Sequence, residues 1–325
     1  MFHLPTIASP QLWAISIAVL LALLAVDFVI TRRPHEVAMR EAVGWSLFYL
    51  ALPGAFGVLI WQLYGRRPAV EFYTGYVVEK SLSVDNLFVF MLLLAAFAVP
   101  PQLAQRVLLY GIAGALVLRG IFIAAGAVVM QSGTWAFLLF GGILLLTAAK
   151  VLREAMRHED YQVDIDSMRS VRFMRRLMPV TGDYRGGKLT VREGGRRALT
   201  PLALVVVAVF MTDVVFAVDS VPAVYGVTED PYLVFATNAF ALLGLRALYF
   251  VLHNVLDRLR HLNYGLAIIL AFIGVKLVLH WAHGLWDGVP DIPIDASLAV
   301  IAGTLAVVTA TSLYADRKER ASAPS

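Results

Sequence analysis

Four carboxylates interrupt long apolar runs in this chain, within two segments of one form: Glu79-Lys-Ser-Leu-Ser-Val-Asp85-Asn86 and Asp213-Val-Val-Phe-Ala-Val-Asp219-Ser220. Each has an acid, five residues, a second acid and then a small amide or hydroxyl. With Asn238, Thr212 and backbone carbonyls, these side chains form an all-oxygen donor set, the kind that suits Mg²⁺, Ca²⁺ or Mn²⁺, whereas zinc, copper and nickel prefer imidazole or sulfur. The chain has no cysteine, which excludes thiolate metal sites, iron–sulfur clusters and redox dithiols. His253, His280 and His283 sit near the ends of apolar runs. The chemistry these residues point to is binding of a hard divalent cation, Glu79, Asp85, Asp213 and Asp219 as ligands, Asn86 and Ser220 beside them, and Thr212 and Asn238 as further shell. Buried acids that lose a cation take up protons, so cation and proton compete for the same oxygens.

Bases accompany the acids in a fixed order. Leu118-Arg119-Gly120 answers Leu245-Arg246-Ala247, and each copy closes on a lysine, Lys150 and Lys276. The first acids are 134 residues apart and the lysines 126. A charge deep in a membrane span is by default a functional-site hypothesis. The plainer alternative is a set of static pairs, Asp85–Arg119, Asp219–Arg246 and two Lys–acid pairs, that fasten a bundle. The two readings are compatible: Lys80, Arg119, Lys150, Arg246 and Lys276 would neutralise an empty site, and the acids would bind the ion when the bases are displaced. Six residues on one helix advance ~9 Å and turn ~600°, leaving the acids of each segment ~120° apart. One unbroken helix therefore cannot aim both at one ion. Asp85 would converge with Asp219 across the two copies, or the backbone would break locally, with Pro222 three residues beyond Asp219.

The elements that must position these residues are membrane helices. Of 325 residues, 59% are hydrophobic and 15% charged, with mean hydropathy +0.74, against about half and about a quarter in soluble domains. The apolar residues form nine stretches long enough to span a bilayer, at about 12–30, 43–62, 72–98, 107–130, 134–152, 200–222, 231–254, 263–282 and 297–315. The net charge of +4 and pI of 9.3 report orientation and no nucleic-acid binding: with the N-terminus outside, inner segments hold twenty Lys and Arg and outer ones two, Arg66 and Arg67. The expected fold is an all-α polytopic membrane protein of about nine transmembrane helices, N-out and C-in, in a single domain. Spans three to five (about 72–152) and six to eight (about 200–282) each carry acid–acid–Arg–Lys. Three spans per copy inverts the second, the plan of many secondary transporters, whose site lies near the midplane between repeats. Spans one, two and nine are peripheral. The 153–199 segment, with His158 and an acidic cluster (Glu159, Asp160, Asp164, Asp166) before a basic one (Arg169, Arg172, Arg175, Arg176), reads as a solvated inner linker whose arginines meet anionic lipid. Asp27 is expected to face the interface beside Arg32 or Arg33, and Tyr73, Tyr76, Trp135, Trp281 and Trp286 to be interfacial anchors.

The acidic segments resemble the TerC family of integral membrane proteins. Gly75 through Phe90 is similar to its first signature; Thr212 through Ala223, running on to Asn238 through Phe250, is similar to its second. The likeness extends over about residues 12–315, and the long inner loop suits the Alx-like branch. It implies a bacterial inner-membrane protein that exports manganese, with proton exchange proposed, grouped with exporters of the LysE type that share an inverted three-plus-three plan. Carried over by position, the acidic metal residues fall on Glu79, Asp85, Asp213 and Asp219. One departure stands out: the family commonly has a glutamate where this chain has Phe210. The expectation is a Mn²⁺/H⁺ exchanger in a lipid bilayer with no resident cofactor, the ion being cargo. The competing reading is a non-transporting scaffold or accessory protein in tellurite or envelope-stress resistance. An enzyme is not expected: the spans contain no Ser–His pairing, HExxH or phosphate-cradling glycine loop.

Overall fold

A computed structural model describes residues 6–31, 39–157, 168–193, 196–245, 248–249, 262–286 and 288–322. Apolar side chains all round most helices leave no amphipathic stripe, as expected of helices solvated by lipid or by one another. The helices are α1 (Pro10–Thr31), α2 (Met39–Tyr64), α3 (Arg66–Ala96), α4 (Pro101–Gln131), α5 (Trp135–Arg157), α6 (Arg169–Leu177), α7 (Pro201–Tyr225), α8 (Pro231–Leu243), α9 (Leu262–His283) and α10 (Ile294–Ser322). Pro101, Pro201 and Pro231 open α4, α7 and α8, at positions where a missing N–H costs nothing and the fixed φ suits the first turn.

Among the described residues, seven helices are long and apolar enough to cross a membrane: α1, α2, α4, α5, α7, α9 and α10. The third and seventh of the nine expected spans differ from these for local reasons. α3 has 31 residues but carries Glu79, Lys80 and Asp85 close together. α8 is a 13-residue apolar helix as described, and most of 246–261 lies outside the described residues.

The most extensive packing is α5 on α9, followed by α4 on α7 and α3 on α8, with α3 also on α7. Glycines set the closest approaches: a Cβ at Gly141 would stand 2.9 Å from the Gly274 carbonyl, and one at Gly274 3.1 Å from the Gly141 carbonyl. Tyr225, Glu229, Lys276, His280, Asp291 and the first turn of α3 meet at one end of the bundle, around a cavity of about 560 Å³. The other end carries the segment before α7.

That segment is folded rather than a bare linker. α6 is followed by a 3-10 turn (Arg185–Gly187) and an antiparallel hairpin, β1 (Thr190–Glu193) with β2 (Arg196–Leu199), in register Thr190↔Leu199 and Glu193↔Arg196. Val171 and Leu199 are buried in one apolar cluster with Leu103 and Leu202, so burial of these side chains supplies the order that composition alone does not. The Tyr184 hydroxyl donates to the Phe97 carbonyl at 2.6 Å, tying the segment to the end of α3. Burial raises the pKa of this phenol. His158, Glu159, Asp160, Asp164 and Asp166 lie outside the described residues.

Two peripheral expectations change. Asp27 is 3% exposed, covered by protein rather than facing outward; Arg32 and Arg33 lie outside the described residues. Tyr76 is buried, and Tyr73 donates to the Gly54 carbonyl at 2.7 Å, so both pack between helices. Trp135 and Trp286 are exposed.

Candidate ion site

Two apolar layers enclose a polar one. Along α4 the chain passes from Leu116 in one cluster to Ile123 in the other, and Arg119 falls between; along α7 it passes from Val209 to Val221, with Asp213 and Ser220 between. Asn238 on α8 sits likewise between Val234 and Ala239. On α3 the residues Tyr76, Glu79, Ser83 and Asn86 recur at helical spacing and share one face. Asp213 is the midpoint of α7, about 18 Å from either end at 1.5 Å per residue.

Arg119 is the hub. Its guanidinium, 1% exposed, pairs with Glu79, 0% exposed, and lies 3.5 Å from Asp213, 2% exposed. Nη1 also donates to Asn238 Oδ1 at 2.8 Å, and the Asn238 amide donates to the Val234 carbonyl at 2.9 Å, which orients its oxygen toward the arginine. One side chain of α4 thus joins an acid of α3, an acid of α7 and an amide of α8.

The layer is under-satisfied. Apart from the arginine contacts, both carboxylate oxygens of Glu79 and of Asp213 have no hydrogen-bond partner, nor do Ser83 Oγ, Asn86 Nδ2, Ser220 Oγ, Tyr76 Oη and Arg119 Nε. Each such group ordinarily costs about 1–3 kcal/mol, more for charged ones. Other hydroxyls on the same helices behave differently: Ser81 and Thr74 donate back to their own helix at 2.6 and 2.7 Å. Among the described residues, two carboxylates of the layer face one guanidinium.

The expected residues divide accordingly. Glu79, Asp213, Asn86, Ser220, Arg119 and Asn238 lie in this layer. Arg119 contacts the first acids of the two segments, Glu79 and Asp213. The side chain of Asp85 and residue Arg246 lie outside the described residues. α3 and α7 run unbroken through 85 and 219, so their registers place the second acids ~120° from the first. Asp219 is half-buried, within electrostatic reach of Arg119 and Lys150. α7 continues past Pro222 to Tyr225, contrary to the local unwinding considered; the proline falls in the last turn, and its missing N–H leaves only the Val218 carbonyl without its usual donor.

Other expected members are elsewhere. The Thr212 hydroxyl donates to the Ala208 carbonyl at 2.9 Å. Lys80 turns away from Glu79 and donates to the Ala241 carbonyl at 3.2 Å. Lys150 is exposed, 3.9 Å from Glu154, and Lys276 lines the end cavity. Phe210 packs on α4, where a Cβ at Gly114 would be 2.7 Å from its ring. Ser83 and Tyr76 are members that sequence reasoning missed; their spacing of four and three residues from Glu79 was the available signal. Among the described residues no group of three or more His, Asp or Glu is placed to hold a metal together.

Comparison with known proteins agrees with the sequence motifs. A family model described as "Integral membrane protein TerC family" matches residues 64–320. A protein of Escherichia coli named as membrane-bound redox modulator Alx is 40% identical over 329 residues, which cover 97% of this chain and 99% of the relative. Uncharacterized membrane proteins of Myxococcus xanthus and Mycobacterium tuberculosis are 38% identical over 314 residues (96% and 95% of the two chains) and 39% over 320 (95% and 81%). No solved structure matches significantly.

Proposed function

Since the chain belongs to the TerC family of integral membrane proteins, we propose that it is a secondary transporter of the bacterial inner membrane that exports a hard divalent cation, Mn²⁺ first among them, in exchange for H⁺. The observation that carries this is the buried layer of orphaned oxygens around Arg119. A buried carboxylate keeps its charge only against a cation or gives it up to a proton, and here one guanidinium serves two.

In this reading Arg119 holds the two acids together until the ion arrives. Arrival of a divalent cation displaces the guanidinium, frees Glu79 and Asp213 as ligands, and brings Ser83, Asn86 and Ser220 within use as neutral oxygen donors. Asp85 and Asp219 add charge as the helices shift. Protons from the far side release the ion and restore the first state. No covalent step is involved, so the protein is a carrier and not an enzyme.

Helix pairing supports an inverted repeat. If α3–α5 and α7–α9 are the two copies, α4 on α7 and α3 on α8 are equivalent contacts, while α3 on α7 and α5 on α9 lie on the axis. Gly141 and Gly274, 133 residues apart, meet reciprocally in the last pair. Arg119 crosses between the copies, which is where a transporter of this plan holds its substrate.

A second reading has an observation in its favour: Arg119 already contacts both acids and Asn238, as a static fastener in a scaffold protein would. The name of the E. coli relative adds redox modulation; without cysteine, this chain has no dithiol through which to act. Mn²⁺ flux in proteoliposomes of the purified protein, with and without a pH gradient, separates the readings. Gradient-driven flux that vanishes in Asp213→Asn and Asp219→Asn is expected. Absence of flux in correctly folded protein would favour the scaffold.

A further inference from the structure

Outside the long helices, the exposed large apolar side chains among the described residues are few: Phe173, Leu177 and Leu189 at one end of the bundle, Leu285 and Trp286 at the other. Phe173 and Leu177, each 61% exposed, are both on α6 and four residues apart, so they stack on one face. Arg169, Arg172 and Arg176 recur at three and four residues along another face, with Arg175 beside them. Val171 is buried, and Met174 and Met178 pack beside it on the cluster that includes Leu103, Leu199 and Leu202. These core contacts hold α6 against the start of α7 and level with the start of α4, where the chain enters the apolar layer.

At 100° per residue, Val171 and Met174 face the bundle, Phe173 and Leu177 lie about 110° to one side, and the positions of Arg169, Arg172 and Arg176 follow about 60–120° further on. A helix pinned by one face, with an apolar face and an arginine face adjoining it, fits an interface: aromatic and aliphatic side chains below the headgroups, guanidinium groups among the phosphates. A water-exposed helix would gain nothing from Phe173 and Leu177.

We propose that α6 is an interfacial helix that inserts Phe173 and Leu177 into the adjoining leaflet and binds anionic phospholipid headgroups through its arginine face. Through Val171 and Leu199 it couples lipid composition to the ends of α4 and α7, the helices that carry Arg119 and Asp213. This site does not depend on what the protein transports.

The absence of cysteine makes the test direct. Phe173→Cys, Leu177→Cys and Arg176→Cys are spin-labelled singly in the full chain and reconstituted in vesicles of phosphatidylcholine alone or with phosphatidylglycerol. Collision with oxygen, which partitions into lipid, is compared with collision with a water-soluble nickel chelate. The expected result is oxygen in several-fold excess at 173 and 177, the reverse at 176, and a further shift toward oxygen at 173 when phosphatidylglycerol is present. That last shift is expected to disappear in an Arg169→Gln/Arg176→Gln background. Nickel-accessible labels at 173 and 177 in both vesicles would overturn the proposal. So would labels shielded from both reagents in native membranes but open to nickel in proteoliposomes, which would place a protein partner on the face. Phosphatidylglycerol dependence that survives the arginine changes would overturn the headgroup assignment.

Discussion

The polar layer at mid-bundle and the cavity at its end hold similar side chains in opposite circumstances. In the cavity, Glu71 accepts from Arg67 at 3.0 Å and from Thr228 at 2.7 Å. Asp230 accepts two backbone N–H groups, from Ile7 and Tyr232, and Asp291 meets His280 at 3.2 Å. Most of these acids have a dedicated partner, and several also have access to water. At mid-bundle, Glu79 and Asp213 share one guanidinium, and the hydroxyls around them lack partners. An acid with its own partners is finished as structure. An acid that shares its base with a second acid is in balance, and a competing cation or proton can tip it.

Changes at four positions would break or sharpen that contrast. The largest effect is expected from Arg119→Leu, which takes from two buried carboxylates the guanidinium they share: a loss of about 3–5 kcal/mol, read as earlier unfolding of purified protein in detergent. Arg119→Lys keeps the charge without the fork and recovers part of it. If Arg119→Leu unfolds with the parent, the mid-bundle acids are already protonated and the contrast fails. Next is Gly141→Leu, which drives a side chain into the Gly274 carbonyl and loses about 1–3 kcal/mol by the same assay. Because α5 and α9 lie on the proposed axis, Mn²⁺ flux is expected to fall with it.

Ser220→Ala removes a hydroxyl that has no partner, so stability moves by less than about 1 kcal/mol while flux slows. Unchanged flux would take Ser220 out of the ion's shell. The smallest effect is expected at the cavity: Asp291→Asn breaks a half-exposed pair with His280, worth about 0–1 kcal/mol and weaker still in high salt. A large loss of stability there would show that the end cavity, too, depends on strained charge.

The membrane class, the doubled acidic segments and the arginine at 119 were legible because each rests on composition or spacing along the chain. A charge within an apolar run is visible without coordinates, and so is the ~120° offset between acids six residues apart. Partner choice was not legible. Nothing in the spacing says that Arg119 meets Glu79 and Asp213, on two other helices. The answer depends on the rotation of α3, set by packing such as Gly75 against Thr237, where a Cβ would stand 3.1 Å from the methyl.

Ser83 was missed because Ser and Thr hydroxyls within apolar runs usually bond their own helix, as Thr212 does, and Tyr76 because a tyrosine in such a run reads as an interfacial anchor. Only the enclosing layers show which hydroxyls are left over. The α6–hairpin segment was read as solvated because its charges dominate its composition, while three or four apolar side chains with a bundle end to bury against were enough to fold it. The sequence by itself determined that this chain spans a membrane and carries charge inside it, because transfer from water depends on residue type alone. Only the tertiary structure decided which charges meet, because that depends on helix rotation and depth, and these are set by contacts between residues more than a hundred positions apart.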